Sequence, residues 1–471
     1  MVMWRSPALE AVLGASLDEA GLTEEVIQRL VEVSAAEGEQ LDFKLKAHLP
    51  ETGPVPVPST GKGFGAEQEF AKDVCAFANH MGGLLLIGIK DAADVAVEAT
   101  PTVTDPVALE QRLRRAVLNY ASPVPQFQCI PIPAAAGGHY MAIIVPPSPA
   151  APHAVRGAPG NDQRPLHYPV RDGSTTRYLL EHEVADRYRL RAAGHSERAA
   201  LRTATVAEGL HALERADDDI WLYLALVPES PSLQRLDRST VDAMKNWLRE
   251  YGFTSPLERT LHFQGVATPA PERLTVSMQS AWKEEHEEVD PRGGYVELYA
   301  DGRVFVATPI TRRSSRSDGE GAIGNLTLAD DSIMLTDLCV SWASHQAGAW
   351  GVADLVIGIA HRGETTGLFK PPLTLHYVVH NELRRVPDTR PVREPVQAVT
   401  TADLAAGGDQ LGRLQVAHDV LTVLLHHFGI AETVHLEQDG TVVSWAWTGR
   451  EDDVEKWARG RNLPHHPRYR R

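Results

Sequence analysis

Glu-Gly-Glu-Gln-Leu-Asp-Phe-Lys, at residues 37–44, begins the part of the chain that decides its fold. Polar and apolar residues alternate through this segment and on to Lys46, which predicts a strand with one apolar and one polar face. Asp42, Lys44 and Lys46 share the polar face. A carboxylate and two ammonium groups are therefore expected side by side along one strand.

The next two segments complete a strand–helix–turn–strand unit. Residues 70–79 read Phe-Ala-Lys-Asp-Val-Cys-Ala-Phe-Ala-Asn, and residues 82–91 read Gly-Gly-Leu-Leu-Leu-Ile-Gly-Ile-Lys-Asp. Four apolar residues recur at helical spacing: Phe70, Val74, Phe77 and Met81. Gly82 and Gly83 end the predicted helix, because glycine takes positive φ without steric cost. The apolar run that follows predicts a buried strand, with Asp91 just beyond its carboxyl end, a usual place for chemistry in α/β folds.

These segments resemble, in order, the motifs of the Schlafen-type AlbA_2 domain of prokaryotic Schlafen-like proteins. The residues that carry the resemblance are Glu37 with Asp-Phe-Lys at 42–44, Ala-Phe-Ala-Asn and Gly-Gly within 76–83, and Leu-Ile-Gly-Ile-Lys-Asp at 86–91. Tyr-Pro-Val-Arg-Asp-Gly-Ser-Thr-Thr-Arg at 168–177, before a helix with Glu181 and Glu183, resembles the end of that domain. The resemblance covers about residues 15–195.

The resemblance implies a metal-dependent RNA endonuclease that acts on structured RNA, notably tRNA. It implies Glu37, Asp42 and Asp91 as the acidic trio, and bacterial members act in defence against phage with a nuclease joined to a sensor domain. Here Asp42 stands where active relatives often have Glu, the loop before the helix is long, and the zinc-binding cysteines of animal members are absent. Animal members carry two such lobes where this chain has one, which suggests a homodimer.

Side-chain chemistry leads to the same expectation. Close carboxylates repel one another, and a hard cation such as Mg²⁺ or Mn²⁺ usually offsets that cost. Glu37, Asp42 and Asp91 are therefore candidate metal ligands, and the metal would activate a water or a 2′-hydroxyl group. Lys44 is the candidate for stabilising negative charge in the transition state. Phosphodiester cleavage is the predicted reaction.

Four cations are candidates for binding the nucleic-acid backbone: Lys46, Lys62, Arg171 and Arg177. Lys62 lies in a Pro-, Gly- and Ser-rich loop at 47–66 that fails the Walker pattern, so a solvated connector is the alternative for this loop. The two arginines bracket the turn at 172–174 and would hold a phosphate. Alternatively, they pair with Asp172 or Glu181.

Composition narrows the class of protein. The chain has 471 residues, of which 43% are hydrophobic, enough for two or three domains with their own cores. Its three cysteines form no Cys-x₂-Cys pair, which argues against a disulfide framework or a zinc finger. No apolar run suits a membrane span and no signal-peptide pattern opens the chain, so a cytoplasmic protein is expected. The net charge of −16 restricts nucleic-acid contact to local patches.

The predicted fold class is α/β to α+β. Residues 1–14 are interpreted as a flexible tail and 15–195 as the AlbA_2 domain, a mixed sheet with helices. A hinge is predicted near Gly194 to Arg202. Residues 203–471 are interpreted as an α+β sensor or interaction region of one or two subdomains, with a mobile loop near 311–324.

Two further functional interpretations stay open. In one, the protein is a regulator that binds a nucleotide or nucleic acid without catalysis, and Glu37, Asp42 and Lys44 form only a solvated strand face. In the other, it is an interaction scaffold. The acidic trio separates these interpretations, because a metal-dependent nuclease needs Glu37, Asp42 and Asp91 within a few ångströms of a common point.

Overall fold

The computed structural model describes residues 4, 6–53, 64–157, 165–213, 219–232, 236–262, 267–282, 294–310, 321–362, 372–379, 382–393 and 395–466. The chain divides into two compact units, Met1–Glu197 and Arg198–Arg471. Both units combine helices with β-sheets, so the predicted α+β class is confirmed. No helix among the described residues is long and apolar enough to cross a membrane.

The first unit alternates strands with a few amphipathic helices. Its helices are α1 (Pro7–Leu13), α2 (Glu24–Glu32), α3 (Ala66–Ala78) and α4 (Pro106–Tyr120), and α5 (Glu181–Ala212) begins in it. Its strands are β1 (Leu41–Lys44), β2 (Gly83–Ile87), β3 (Ile89–Ala92), β4 (Val95–Ala99), β5 (Ala121–Ser122), β6 (Gln128–Pro133), β7 (His139–Val145), β8 (Ala154–Arg156), β9 (Leu166–His167), β10 (Pro169–Asp172) and β11 (Thr175–Tyr178).

A four-stranded sheet in the order β1-β2-β7-β6 forms the centre of this unit. The edge strand β1 runs parallel to β2, with Asp42 opposite Leu85 and Lys44 opposite Ile87, and the other pairs are antiparallel. Strand β2 is buried along its whole length, as its apolar run predicts. Gly82 takes φ +73° between α3 and β2, where a side chain would meet Pro147 and the Val145 carbonyl.

Helices α3 and α4 cover one face of the sheet. The core on that face joins Phe70, Val74 and Phe77 of α3 to Leu85 and Ile87 of β2. Neighbouring residues on paired parallel strands point to the same side, so Asp42 and Lys44 point towards α3 as well. The polar face of β1 is thus covered by α3.

Two parts of the first unit differ from the sequence-based expectation. Residues 7–13 form α1 where a tail was predicted, because Leu9 and Leu13 are buried and Ser6 accepts a hydrogen bond from the Leu9 amide as the N-cap. The predicted hinge near 194–202 lies inside α5, which runs unbroken from Glu181 to Ala212. The boundary between the units therefore falls within a helix rather than in a linker.

The second unit is built on a large antiparallel sheet. Its remaining helices are α6 (Arg238–Glu250), α7 (Asn325–Ser341), α8 (Gln410–Leu425) and α9 (Glu451–Gly460). Its strands are β12 (Asp219–Ser230), β13 (Arg259–His262), β14 (Thr268–Ala270), β15 (Arg273–Trp282), β16 (Gly294–Tyr299), β17 (Val304–Pro309), β18 (Ala322–Gly324), β19 (Trp350–Arg362), β20 (Thr374–Val379), β21 (Glu382–Arg385), β22 (Val396–Asp403), β23 (Val442–Val443) and β24 (His465–His466).

The strand order in that sheet is β13-β15-β16-β17-β12-β19-β22, with β14 paired to β15. Helices α7 and α8 contribute long buried faces to the core that the sheet shares. A π-helical turn, Trp342–Gln346, follows α7 directly. Most of the loop predicted as mobile, residues 311–320, lies outside the described residues.

Candidate functional site

Strand β1 presents the first two candidate residues on a covered face at the edge of the sheet. Asp42 is 2% exposed, although it is charged and lies on an edge strand. A buried carboxylate needs close partners, because its desolvation is costly. Lys44, two residues along the same face, provides one of them: its Nζ lies 2.7 Å from Asp42 Oδ2.

Arg171 of β10 provides the second partner of Asp42. A guanidinium N–H lies 3.5 Å from Asp42 Oδ1, and another donates to the Gly38 carbonyl at 3.0 Å. The guanidinium group also sits over the Phe77 ring of α3, 4.9 Å from its centroid. Arg171 is only 4% exposed, so it fixes Asp42 from within the fold.

Glu37 lies just before β1 and is half-buried. Its Oε1 accepts a hydrogen bond from the Phe43 amide at 2.7 Å, which holds the carboxyl group against the strand that carries Asp42 and Lys44. Burial raises the pKa of Glu37 to about 7, and the charges of Asp42 and Asp91 act in the same direction. The Phe43 hydrogen bond and the Lys44 charge oppose the rise in pKa. Glu37 therefore exchanges its proton near neutral pH.

Asp91 is placed differently from the other two acids. A second strand, β3, follows β2 after Gly88 at φ +103°, and Asp91 lies exposed in it, at an irregularity of the pairing with β4. Its charge is the weakest of the named contributions to the raised pKa of Glu37. Among the described residues, its carboxylate has no ion-pair partner. The charges of Glu37 and Asp42 interact, and Asp91 acts on Glu37 from the exposed hairpin.

The predicted metal site requires the carboxylates of Glu37, Asp42 and Asp91 to meet at one point. Among the residues that the structure describes, no three His, Cys, Asp or Glu side chains are arranged to hold a metal ion. Both oxygens of Asp42 already face cations, Lys44 and Arg171. The donor set of Glu37, Asp42 and Asp91, as arranged, does not fit a bound Mg²⁺ or Mn²⁺.

Sequence reasoning missed a second polar pair beside Lys44. His48, four residues after β1, has its Nε2 3.1 Å from Oδ2 of Asp73 in α3. Asp73 is almost fully buried, and burial raises its pKa; the His48 hydrogen bond and the charges of Lys72 and Lys44 outweigh that effect and lower it overall. Asp73 therefore stays ionised. The sequence did contain a signal, because Asp73 shares the buried stripe of α3 with Phe70 and Phe77.

Lys44 connects the two parts of the site. Burial lowers its pKa, but the charges of Asp42, Asp73 and Glu37 and the hydrogen bond to Asp42 raise it overall. The ammonium group thus stays protonated between the acids at the start of β1 and the His48–Asp73 pair. Glu37, His48 and Lys44 are each partly exposed, so all three side chains meet solvent.

The four predicted nucleic-acid contacts fall into different environments. Lys46 is exposed, and Lys62 lies outside the described residues. Arg171 is buried against Asp42 and unavailable to a phosphate, which corrects its predicted role. Arg177 is exposed but pairs with Glu183 at 2.8 Å and with Asp172 at 3.7 Å, close to the alternative that the sequence left open.

Comparison with known proteins finds a family match within the first unit. Residues 37–179 match the family model of the Schlafen AlbA_2 domain. The matched residues include every candidate site residue, and the match confirms the resemblance seen in the sequence.

Matches to solved structures are more distant. A crystal structure of a Corynebacterium diphtheriae protein shares 22% identity over 36% of this chain, with a TM-score of 0.20, and the match spans 25% of that protein's length. The solution structure of the N-terminal domain of a Nitrosomonas europaea protein, described as related to the ATP-dependent DNA helicase RecG, shares 21% identity. That match covers 33% of this chain and 94% of the domain, with a TM-score of 0.20. The comparison with curated proteins gives no match.

Proposed function

We propose that the AlbA_2 domain acts on nucleic acid and cleaves RNA phosphodiester bonds, with Glu37 as the general base. The observation that carries the proposal is the position of this carboxyl group, half-buried beside the buried Asp42 and its partly exposed partner Lys44, with a pKa of about 7. A general base is most effective when its pKa lies near the working pH. The Schlafen AlbA_2 assignment supports RNA as the nucleic acid.

The cleavage chemistry follows from three side chains. Ionised Glu37 takes the proton from a 2′-hydroxyl group, whose oxygen then forms a bond to the adjacent phosphorus. Lys44 offsets the negative charge that gathers on the phosphoryl oxygens. His48, whose Nε2 is held by Asp73, is the group placed to give a proton to the 5′ oxygen as the P–O5′ bond breaks. The products are a 2′,3′-cyclic phosphate and a 5′-hydroxyl end.

A second candidate function is nucleic-acid binding without catalysis. The observation that favours it is that Lys44 and Arg171 already neutralise Asp42, which removes this acid from the predicted metal-binding trio. Under this proposal the site recognises the RNA backbone by shape and charge. Exposed Lys46 would then contribute to affinity rather than to turnover.

The test uses the full chain and total tRNA, with and without EDTA. We expect discrete fragments with cyclic phosphate ends from the wild type, and loss of at least about 100-fold in rate for Glu37→Gln, the usual worth of a general base. Glu39→Gln is the matched control, since Glu39 is exposed and, within the described part of the chain, pairs with His80 alone, at 3.4 Å. If EDTA abolishes cleavage, the reaction requires Mg²⁺ or Mn²⁺, and the mechanism without a metal is wrong. RNA bound but uncut would favour the second candidate.

The wider biological role is proposed on the resemblance alone. It comprises tRNA as the substrate, action in the cytoplasm, defence against phage, and a homodimer that completes the two-lobed arrangement. The second unit would then sense a phage-derived trigger. Light scattering of the active fraction tests the dimer, and a monomer there would exclude it.

A further inference from the structure

The second unit contains a cavity of about 380 Å³ that the proposed RNA chemistry does not use. It lies where α6, α7 with its π-helical turn, α8 and the end of α9 come together. The residues that line it include Trp247, Glu250, Asp337, Gln410, Arg413 and Arg461. A volume of this size suits a small organic molecule rather than a macromolecule.

Aromatic rings form one wall of the cavity. Trp247 of α6 packs against Tyr251 at 5.1 Å between ring centroids and against Trp342 at 5.2 Å. Trp342 is buried in the core, while Tyr251 and Trp247 both pack against the core and stay partly exposed. Its indole offers a flat apolar surface on which another ring can stack.

A hydrogen-bonded network fixes the base of the cavity. The Tyr251 hydroxyl donates to Asp337 Oδ2 at 2.8 Å, and Arg413 Nε donates to Asp337 Oδ1 at 2.5 Å. Arg413 also donates to the carbonyls of Gly407 and Gly408, both at 3.3 Å. Asp337 and Arg413 therefore satisfy each other, and their charges cancel. The network supplies rigidity and leaves ligand recognition to other groups.

Two donor groups in residues that line the cavity lack a side-chain partner among the described residues. The buried Nε2 of Gln410 has no hydrogen-bond partner among the described residues, although an unsatisfied buried donor is costly. Arg461 stacks its guanidinium group on Trp457 at 5.2 Å and has no ion pair within the described part of the chain. A bound anion would satisfy both groups.

The remaining features point to the neutral part of the ligand. Glu250 is exposed at the rim, where its carboxylate can accept hydrogen bonds from hydroxyl groups. The π-helical turn Trp342–Gln346 brings His345 to the cavity, and π-turns inside helices frequently occur at functional sites. An aromatic surface, a hydroxyl acceptor and an unpaired cation together match a ring, a sugar and a phosphate.

We propose that this cavity binds a nucleoside monophosphate. The base stacks on Trp247, the ribose hydroxyls donate to Glu250, and the phosphate accepts from Arg461 and Gln410. The cavity lies wholly within the second unit, so this site is independent of the proposed RNA cleavage. Through this site the second unit would respond to a small molecule.

The test is isothermal titration calorimetry of the full chain with AMP, GMP, CMP and UMP, beside adenosine and inorganic phosphate. We expect at least one monophosphate to bind, with adenosine and phosphate each at least about tenfold weaker. Arg461→Ala should weaken that binding roughly tenfold to a hundredfold, the worth of a hydrogen bond to a charged group. Gln410→Leu should weaken it to a lesser degree.

Arg459→Ala is the matched control, because Arg459 is exposed near the end of α9 and pairs with Glu455. Thermal unfolding of each variant establishes that it folds, and Arg461→Lys, which keeps the charge, should retain part of the affinity. Absence of binding by the wild type to all four monophosphates would overturn the proposal. Equal weakening by Arg459→Ala and Arg461→Ala, or inorganic phosphate binding as tightly as the best nucleotide, would also overturn it.

Discussion

Replacing Arg171 by methionine should destabilise the first unit strongly. The side chains of Arg171 and Asp42 are each 3% exposed, so the substitution leaves a buried carboxylate with one cation instead of two. Breaking a buried ion pair costs about 3–5 kcal/mol. Because Lys44 stays 2.7 Å from the other Asp42 oxygen, we expect the lower end, about 3 kcal/mol. Methionine retains the apolar contact with Phe77, so the loss reports on the Asp42 ion pair together with the hydrogen bond to the Gly38 carbonyl.

For a unit of this size, 1 kcal/mol corresponds to about 2–4 °C, so the unfolding temperature should fall by roughly 6–12 °C. Differential scanning calorimetry of the full chain measures the fall. Eight of the nine tryptophans lie after residue 200, so tryptophan fluorescence follows mainly the unfolding of the second unit. It therefore shows which calorimetric transition belongs to that unit. Arg177→Met is the control, since its side chain is 45% exposed and an exposed pair contributes at most about 1 kcal/mol. Equal shifts for the two variants would refute the buried-pair account.

Two further predictions concern pH and packing. Because the pKa of Glu37 in the folded protein is raised to about 7, ionisation destabilises the fold as pH rises from about 4.5 through 7. Glu37→Gln should therefore match the wild type near pH 4.5 and unfold at a higher temperature at pH 8; a constant difference across this range would contradict the raised pKa. Within α5, Gly209→Ala would place a Cβ 2.3 Å from the Phe305 ring and should cost about 1–3 kcal/mol, whereas Gly194→Ala, in open space, should stabilise by about 0.5–1 kcal/mol. Urea unfolding compares the pair, and a stabilising Gly209→Ala would disprove the close packing.

Local pattern was enough to predict the central elements. The alternation around Asp42 and Lys44 placed both on one face of β1, and the ion pair between them follows directly from that spacing. The stripe of α3 and the glycines after it likewise gave the helix and the turn into β2. These features depend on residues a few positions apart, which is where hydrophobic periodicity carries information.

The rest of the site depends on contacts between distant residues. Arg171 and Asp42 lie 129 positions apart, and the residues around Arg171 favour a phosphate and a nearby acid equally as its partner. Asp91 was expected at the end of a buried strand, but the chain turns at Gly88 into an exposed hairpin. His48 and Asp73 come together only because α3 packs over β1. Tertiary packing, not local propensity, decides each of these positions.

The central claim is that Glu37 acts as the base in RNA cleavage, and the pH dependence of the cleavage rate tests it most directly. We would measure single-turnover cleavage of tRNA by the full chain from pH 5.5 to 8.5. If Glu37 is the base, the acidic limb of the pH profile follows an apparent pKa of about 7, because only the ionised carboxylate accepts the proton. Glu37→Gln should lose this limb while Glu39→Gln keeps it. A limb that persists unchanged in Glu37→Gln would contradict the account.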